Sequence, residues 1–394
     1  MKKLTRIITP SYVSGFKCIA GACEDSCCIG WDIDIDKLTY RKYFRTKNLQ
    51  MKQEFVKHVY RNEDCDFEEV DYGRVRINKS KYCPFLDNQR LCRIYTQLGE
   101  DSLSNVCTSY PRVYNLLDDV YELSLFLSCP EAVRKLFASQ EPIRFIEEEL
   151  PLDRHILHSH ILTHDKRWQN SPVRRLKELR SRSIEMIQDR NHSITERVLR
   201  LGRELSRSGS SWSGSPGTGL KSNRSFAFQF EFFKEAIETL HVSSEIDSAL
   251  FARQTNKVIT GLRFQDASPI SEKAKLYEQS LTMIVEPFLI DHGYLFEHYL
   301  VNFMFQGNFP FTENQNVLDG YLMMVIRYTF IRFYLAGIGV LEGKITEEDI
   351  ILMIQLFTKT IEHHKTFIID LLQEIKNKKL DNMDFIRTLL MPVE

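Results

Sequence analysis

The sequence predicts a mainly α protein, in which a small Cys-rich α+β metal-binding module at the N-terminus is followed by an irregular all-helical domain. Three observations predict this. All nine cysteines lie within the first 129 of 394 residues. Short stretches alternating apolar with polar residues, the period of a half-buried strand, fall in that same third. The remainder runs in long stretches without breakers, opened by helix start signals. A chain of this length exceeds what one core ordinarily organises, so two domains are expected, at 1–140 and 141–394. Hydrophobic residues at 43% and charged residues at 27% are ordinary for a folded globular chain and exclude a disordered or fibrous one. The formal net charge of −1 gives no overall field toward polyanions, so no nucleic-acid partner is expected.

In chain order, strands are expected at Trp31–Asp36 and Gly73–Ile77, with small helices between about Asp36 and His58 and at Glu131–Phe137. Ser171-Pro172 places an N-cap residue before a proline at the first helical position, and Val173–Arg190 follows without a breaker. A second helix is expected from Ser193 to Leu205. Ser206–Gly219 is nearly all Ser and Gly, so a flexible loop is expected over 206–224 and no function is read from it. Helical pattern resumes through Ala227–Leu240, Ser271–Leu289, Leu295–Phe305, Leu318–Leu335 and Thr346–Ile375, the last opening with three acidic residues behind a Thr cap. Phe226, Phe228, Phe230, Phe232 and Phe233 are expected to fill the core of this domain.

The N-terminus, Met1-Lys2-Lys3-Leu4-Thr5-Arg6, is basic but has no apolar run behind it, so it does not read as a secretory signal. The most apolar stretch, Tyr321–Leu341, contains Arg327 and Arg332, so no transmembrane helix is expected. A cytoplasmic protein is the expectation, and there thiols stay reduced, so the cysteines read as metal ligands and not as disulfides.

Cys18, Cys23, Cys27 and Cys28 form a C-x4-C-x3-C-C cluster, and Cys83, Cys92, Cys107 and Cys129 supply further thiols. Soft thiolates suit zinc or an iron–sulfur cluster, and spacing does not separate the two. Neighbouring side chains diverge, so Cys27 and Cys28 are not expected to serve one tetrahedral ion. Cys65, flanked by acidic residues, is read as a bystander.

Two other patterns carry weaker signals. His155, His158, His160 and His164 crowd one segment, and on a helix His160 and His164 would share a face; without a carboxylate motif they are read as packing or surface residues. Arg174, Arg175, Lys177, Arg180 and Arg182 are read as a solvated helix face, with peripheral contact to an acidic protein or membrane surface as the alternative. Ala336-Gly337-Ile338-Gly339 follows a helix, not a strand, so it reads as close helix packing and not a nucleotide turn.

The string Cys18-x4-Cys23-x3-Cys27-Cys28-x2-Trp31 is followed by Cys83-Pro84-Phe85-Leu86, Leu91-Cys92-Arg93-Ile94-Tyr95, Val106-Cys107-x2-Tyr110-Pro111-Arg112 and Cys129-Pro130-Glu131. Together these resemble the flagellin lysine-N-methylase family, whose N-terminal module is similar to the wider CxxCxxCC cysteine-cluster proteins. Arg180-x2-Ser183-Ile184-Glu185, Glu196-Arg197-Val198, Glu297-His298-Tyr299-Leu300-Val301-Asn302 and Phe309-Pro310-Phe311 extend the resemblance over most of the chain.

The resemblance implies a cytoplasmic methyltransferase that moves a methyl group from S-adenosylmethionine to lysine ε-amines of flagellin. It also implies a cysteine-ligated cluster, 4Fe-4S first and zinc as the alternative. Two departures stand out. Gly30 occupies the place where a C-x3-C-x2-C radical signature would need a third thiol after Cys23 and Cys27, and no strand is followed by a Gly-rich donor-binding turn. The alternatives in other classes are a non-catalytic zinc- or iron-chelating protein and a helical interaction protein with a structural zinc site.

A lysine amine is protonated at neutral pH and must lose its proton before it attacks a methyl group. Glu297, Tyr299, Tyr321 and Tyr328 are the candidate groups for that work, each also readable as a packing residue.

Overall fold

The computed structural model describes residues 4–29, 33–78, 82–152, 154–207, 226–239, 248–362 and 367–391. The chain divides into two units, Met1–Lys135 with Arg144–Leu162, and Leu136–Ile143 with Thr163–Glu394.

The first unit holds two sheets. Strands β1 (Leu4–Pro10), β2 (Ile33–Ile35), β3 (Val59–Arg61), β4 (Gly73–Val75), β5 (Arg112–Leu117), β6 (Val120–Leu125), β7 (Phe145–Pro151) and β8 (Leu157–Ile161) alternate with short helices α1 (Lys37–Arg45), α2 (Leu49–His58), α3 (Arg93–Leu98), α4 (Asn105–Ser109) and α5 (Pro130–Phe137), the last crossing the unit boundary. The larger sheet runs β7-β1-β6-β5-β8 and the smaller β2-β4-β3. Asp36 caps α1 by accepting from Thr39 N, and its second oxygen accepts from Asn105 N at 2.9 Å, so one buried carboxylate ties α1 to the start of α4. Under the small sheet, Tyr43 stacks on Phe55 at 4.0 Å between ring centres, and Phe85 and Ile94 complete a core against which Cys28 and Cys92 pack.

Both expected strands form, as Ile33–Ile35 and Gly73–Val75, while Trp31 lies outside the described residues. The helix expected near Asp36–His58 is two, divided where Asn48 caps α2. Strands β7 and β8 correct the expectation that everything after residue 140 is helical. Strand β7 is an edge strand exposed on both faces and guarded by Glu147–Glu149, with Arg6 on β1 paired to Glu147, so it lacks the apolar alternation of a half-buried strand. His158 and His160 lie on β8, so the i,i+4 helix face imagined for His160 and His164 does not exist. His158 packs edge-on against Phe126, and burial lowers its pKa.

The second unit is helical throughout its described elements: α6 (Leu176–Ile187), α7 (Ile194–Arg207), α8 (Phe226–Thr239), α9 (Ala249–Gly261), α10 (Ile270–Ser280), α11 (Glu286–Gln306), α12 (Val317–Glu342), α13 (Glu347–Phe357), α14 (Phe367–Asn377) and α15 (Met383–Leu390). Ser171 caps as expected, through Val173 N, but the first turn is a 3-10 segment, Pro172–Arg175. Ser206 and Arg207 belong to α7, and the rest of the expected Ser/Gly loop lies outside the described residues. Thr346 and Asp349 form a full capping box, and the stretch expected as one helix to Ile375 holds α13, a π turn at Thr358–Glu362 and α14, with 363–366 outside the described residues. The sequence reading did not anticipate α9 and α15.

Between α10 and α11 the chain does not break. A π turn, Leu281–Val285, joins them, with the Glu286 N–H reaching back five residues to Leu281 O. Pro287 sits in the first turn of α11, where its missing N–H is tolerated because the wide turn removes the carbonyl it would otherwise clash with.

Helix α12 is the core, and it is long and apolar enough to cross a membrane by length and composition, yet 89% of its most apolar window is buried within the protein. Its two cations are paired: Arg327 with Glu313 and Glu362, and Arg332 with Glu286. A Cβ on Gly261 would lie 2.3 Å from Gly337 O, and one on Gly337 would lie 2.8 Å from Val258. The Gly-x-Gly of α12 is therefore close packing against α9, as its place in the sequence predicts. Of the phenylalanines expected in the core, Phe230 and Phe233 are fully buried, while Phe228 and Phe232 meet Phe385 on α15 edge-on.

Candidate functional site

The cysteines of the first unit are brought together by short backbone pairings. Cys83 N donates to Cys28 O at 2.9 Å beside the Ile29–Tyr82 bridge, and Leu86 pairs with Cys92 across the next turn. Cys107 sits in α4, whose cap residue Ser104 accepts from Cys107 N at 3.2 Å. Cys129 immediately precedes α5. Cys83, Cys92, Cys107 and Cys129 each have a raised pKa, chiefly because burial penalises the thiolate, reaching about 12 for Cys107 and about 11 for Cys129. Cys27 donates a hydrogen bond to the Cys28 sulfur, so Cys28 ionises first, lowered to about 7, and Cys27 holds its proton. Cys65 keeps apart, with its thiol on Asp71 Oδ1 at 3.4 Å.

The second unit carries a cleft of about 460 Å³, walled by residues 190–197 and by the first turns of α11. Its floor is a buried ion triad. Glu297 has no exposed surface, and its carboxylate accepts from Arg190 Nε and Nη2 at 2.9 and 2.8 Å and from Arg197 Nη1 at 2.7 Å. Arg197 also donates to Ile187 O and His192 O, and Arg190 donates to Gln140 O, so one carboxylate fixes the whole connection between α6 and α7. Two cations around one anion leave the floor with an excess positive charge. Asp291 lies exposed on the rim, and Tyr294 lines the wall with its hydroxyl donating to Glu347 at 2.9 Å. Burial first, then Glu347, pushes the Tyr294 phenol up to about 12, so it stays protonated. His298, behind this wall, bonds through Nδ1 to Leu136 O, and burial keeps it neutral by lowering its pKa.

Of the four catalytic candidates only Glu297 lines this cleft. Tyr299 donates to Glu362 at 2.8 Å inside the network around Arg327. Tyr321 donates to Val198 O at 2.9 Å and covers Gly202, where a Cβ would overlap its ring. Tyr328 shares a hydrogen bond with Thr195 at 2.9 Å. All three tyrosines are buried helix-packing residues with partners of their own. Sequence reasoning passed over Arg190, Asp291 and Tyr294. The available signal was Glu297 itself, a carboxylate within the apolar run Leu295–Val301, which requires a cation from elsewhere.

The expected basic face of α6 is also reshaped. Arg175 pairs with Glu178 and Arg182 with Glu185, while Arg180 is buried and donates to Phe305 O. A second cavity of about 500 Å³ between α6 and α7 is lined by such surface pairs.

A family model described as the FliB lysine N-methylase C-terminal domain matches residues 217–389. The flagellar biosynthetic protein FliU of Salmonella muenchen is 31% identical over 153 residues, covering 38% of this chain and 86% of its own length. This chain belongs to the FliB lysine N-methylase family. Proteins named lysine-N-methylase in Salmonella typhimurium and Salmonella choleraesuis are each 31% identical over 152 residues, 38% of this chain. The matched stretch spans 37% of the length of those two methylases. No solved structure matches.

The FliB domain match takes in α8 to α15 and with them the α11 wall of the cleft, while Arg190 comes from the connection between α6 and α7 and Arg197 from α7. The first unit carries the eight thiols that the family resemblance would use for a cluster, donors of the soft type such a group takes. Among the described residues no three His, Cys, Asp or Glu side chains yet converge enough to hold a metal ion. Several sulfurs point to local partners instead, Cys23 donating to Asp25 O and Cys18 accepting from Ala20 N, both at 3.4 Å. The donor type suits such a group, and its ligation would require loss of the thiol protons.

Proposed function

We propose that this protein is a cytoplasmic S-adenosylmethionine-dependent methyltransferase acting on lysine ε-amines of flagellin, with an iron–sulfur cluster held by Cys18, Cys23, Cys27, Cys28, Cys83, Cys92, Cys107 and Cys129. The observation that carries the reading is the likeness to proteins named lysine-N-methylase, together with a domain match that takes in the α11 wall of the cleft. The relative named as a flagellar biosynthetic protein supports flagellin as the substrate class.

The cleft supports this chemistry through its own charges. The positive floor suits the carboxylate of the donor's amino-acid end, with Arg190, 37% exposed, as the accessible cation. Asp291 on the rim attracts an incoming lysine ammonium. Glu297 accepts three N–H donors and orients the two arginines, so it is a positioning residue. When bound, an iron–sulfur cluster supplies Lewis-acid sites or an electron, whereas zinc supplies a structural cross-link.

The test is transfer of labelled methyl from S-adenosylmethionine to purified flagellin by the full chain with its metal loaded. Incorporation at lysine is expected, and its absence with a fully loaded centre overturns the reading. Arg190→Met is expected to raise the KM for S-adenosylmethionine more than it lowers kcat.

A further inference from the structure

From Leu276 to Ile326 the sequence has six acidic residues and no lysine or arginine. Four of the six are spent on cations from elsewhere in the chain: Glu286 on Arg332, Glu297 on Arg190 and Arg197, Glu313 on Arg327, and Asp319 on Lys376. The other two, Glu278 on α10 and the exposed Asp291 on α11, make no ion pair among the described residues.

Between these two carboxylates in the chain, the exposed side chains are apolar where a helix surface is ordinarily polar. Ile290 is the most exposed large apolar side chain among the described residues, at 82%, and Met283 is the next in the second unit, at 74%. Pro287, also exposed, stands between them. Pro287 and Ile290 are three residues apart on α11 and so neighbours on its surface, and Met283 lies one turn earlier, in the π turn. An exposed apolar residue by itself is ordinary, but this row of three ends at the mouth of a cleft, because Ile290 and Asp291 both line the cleft above the Arg190 and Arg197 floor.

We infer that Met283, Pro287 and Ile290 are the docking strip for the protein substrate, holding the apolar side chains that flank a target lysine while its ammonium group meets Asp291 at the rim of the cleft. This rests on the lysine-methylase reading above and deepens it by naming what the site recognises around the lysine. Charge selects the occupant. A stretch without lysine or arginine, ending in an uncompensated carboxylate, draws in a cationic segment and repels an acidic one. A second copy of the chain fits worse, since pairing the strip with itself brings the same uncompensated carboxylates together. Length sets the specificity. Seven residues of helical rise make a row of about 10 Å, which about three residues of extended chain span. The preferred lysines are therefore those with an aliphatic or aromatic residue within about three positions.

The experiment uses the full chain with its metal loaded and purified flagellin as the probe. Met283→Ser combined with Ile290→Ser is expected to raise the KM for flagellin about tenfold, the scale of losing part of two buried apolar contacts, and to leave kcat and the KM for S-adenosylmethionine unchanged. Ile369→Ser is the control, at an isoleucine of α14 that is 62% exposed and does not line the cleft. All three side chains are exposed, so these variants are expected to melt with the parent. A photo-reactive residue placed at position 290 is expected to capture flagellin, and one at position 369 is not. An unchanged KM for flagellin in the double variant, or a fall in kcat alone, overturns the docking strip and leaves the methylase reading intact. A dimeric parent with a monomeric double variant assigns the strip to a second copy and also overturns it. If the parent transfers no methyl group, the methylase reading falls, and crosslinking from position 290 decides the strip by itself: failure to capture flagellin overturns it as well.

Discussion

Replacing Glu297 by alanine removes the carboxylate paired with Arg197, which is 8% exposed, and frees Arg190, which is 37% exposed. Arg190 regains water, so its loss is discounted to roughly the surface-pair scale of 1 kcal/mol or less. Arg197 is left charged in a buried site, and breaking such a pair costs about 3–5 kcal/mol. For a unit of this size each kcal/mol moves Tm by about 2–4 °C, so Glu297→Ala is expected to lower the transition of the helical unit by roughly 6–20 °C. The assay is thermal unfolding followed by circular dichroism and calorimetry. The contrast that isolates the cause is the apolar replacement Glu297→Leu, Arg197→Met, Arg190→Met, which removes all three charges and is expected to recover most of the loss. A single variant that melts within about 2 °C of the parent would refute the triad as a buried counter-charge, by the same scaling. A triple variant that melts as low as Glu297→Ala would refute the assignment of the loss to Arg197.

Other outcomes follow from the same contacts. Gly337→Ala forces a methyl group against Val258 in the contact with α9, where overpacking costs about 1–3 kcal/mol, measurable by denaturant unfolding. Tyr321→Phe loses one hydrogen bond to Val198 O, about 1 kcal/mol, and is expected to leave methyl transfer unchanged; a large loss of turnover in folded protein would return Tyr321 to the catalytic candidates. His298 has its pKa lowered by burial, so on acidification the unfolded chain takes up the proton first, near pH 6.5. Stability is therefore expected to fall as pH drops below about 6.5 toward the folded-state value and then level off, and His298→Gln should flatten that slope in a Tm-against-pH series. His158 contributes in the same direction from the first unit, so the slope in His298→Gln should shrink and not vanish.

Much of the local structure was legible because it depends on near neighbours. The Ser171 and Thr346 caps, the helices around Leu176–Ile187 and Val317–Glu342, and the packing role of Gly337 follow from residues a turn or two apart. The elements that escaped were those whose stabilising partners are remote. Strand β7 has no apolar face to announce it and exists because β1 lies beside it, and the π turn at Leu281–Val285 keeps the helix continuous where Pro287 argues for an end.

The same division runs through the functional residues. The sequence by itself determined the inventory: nine thiols confined to one unit, one carboxylate inside an apolar helix, and a family pattern carried by both. Only the tertiary structure decided that Glu297 is spent on Arg190 and Arg197, and that Tyr299, Tyr321 and Tyr328 are held in helix packing. The reason is range. A side chain's type and its helical or extended neighbours are written within a few positions, but its charge partner across 100 residues, as between Arg197 and Glu297, is chosen by how helices pack, and packing is set by the whole core at once.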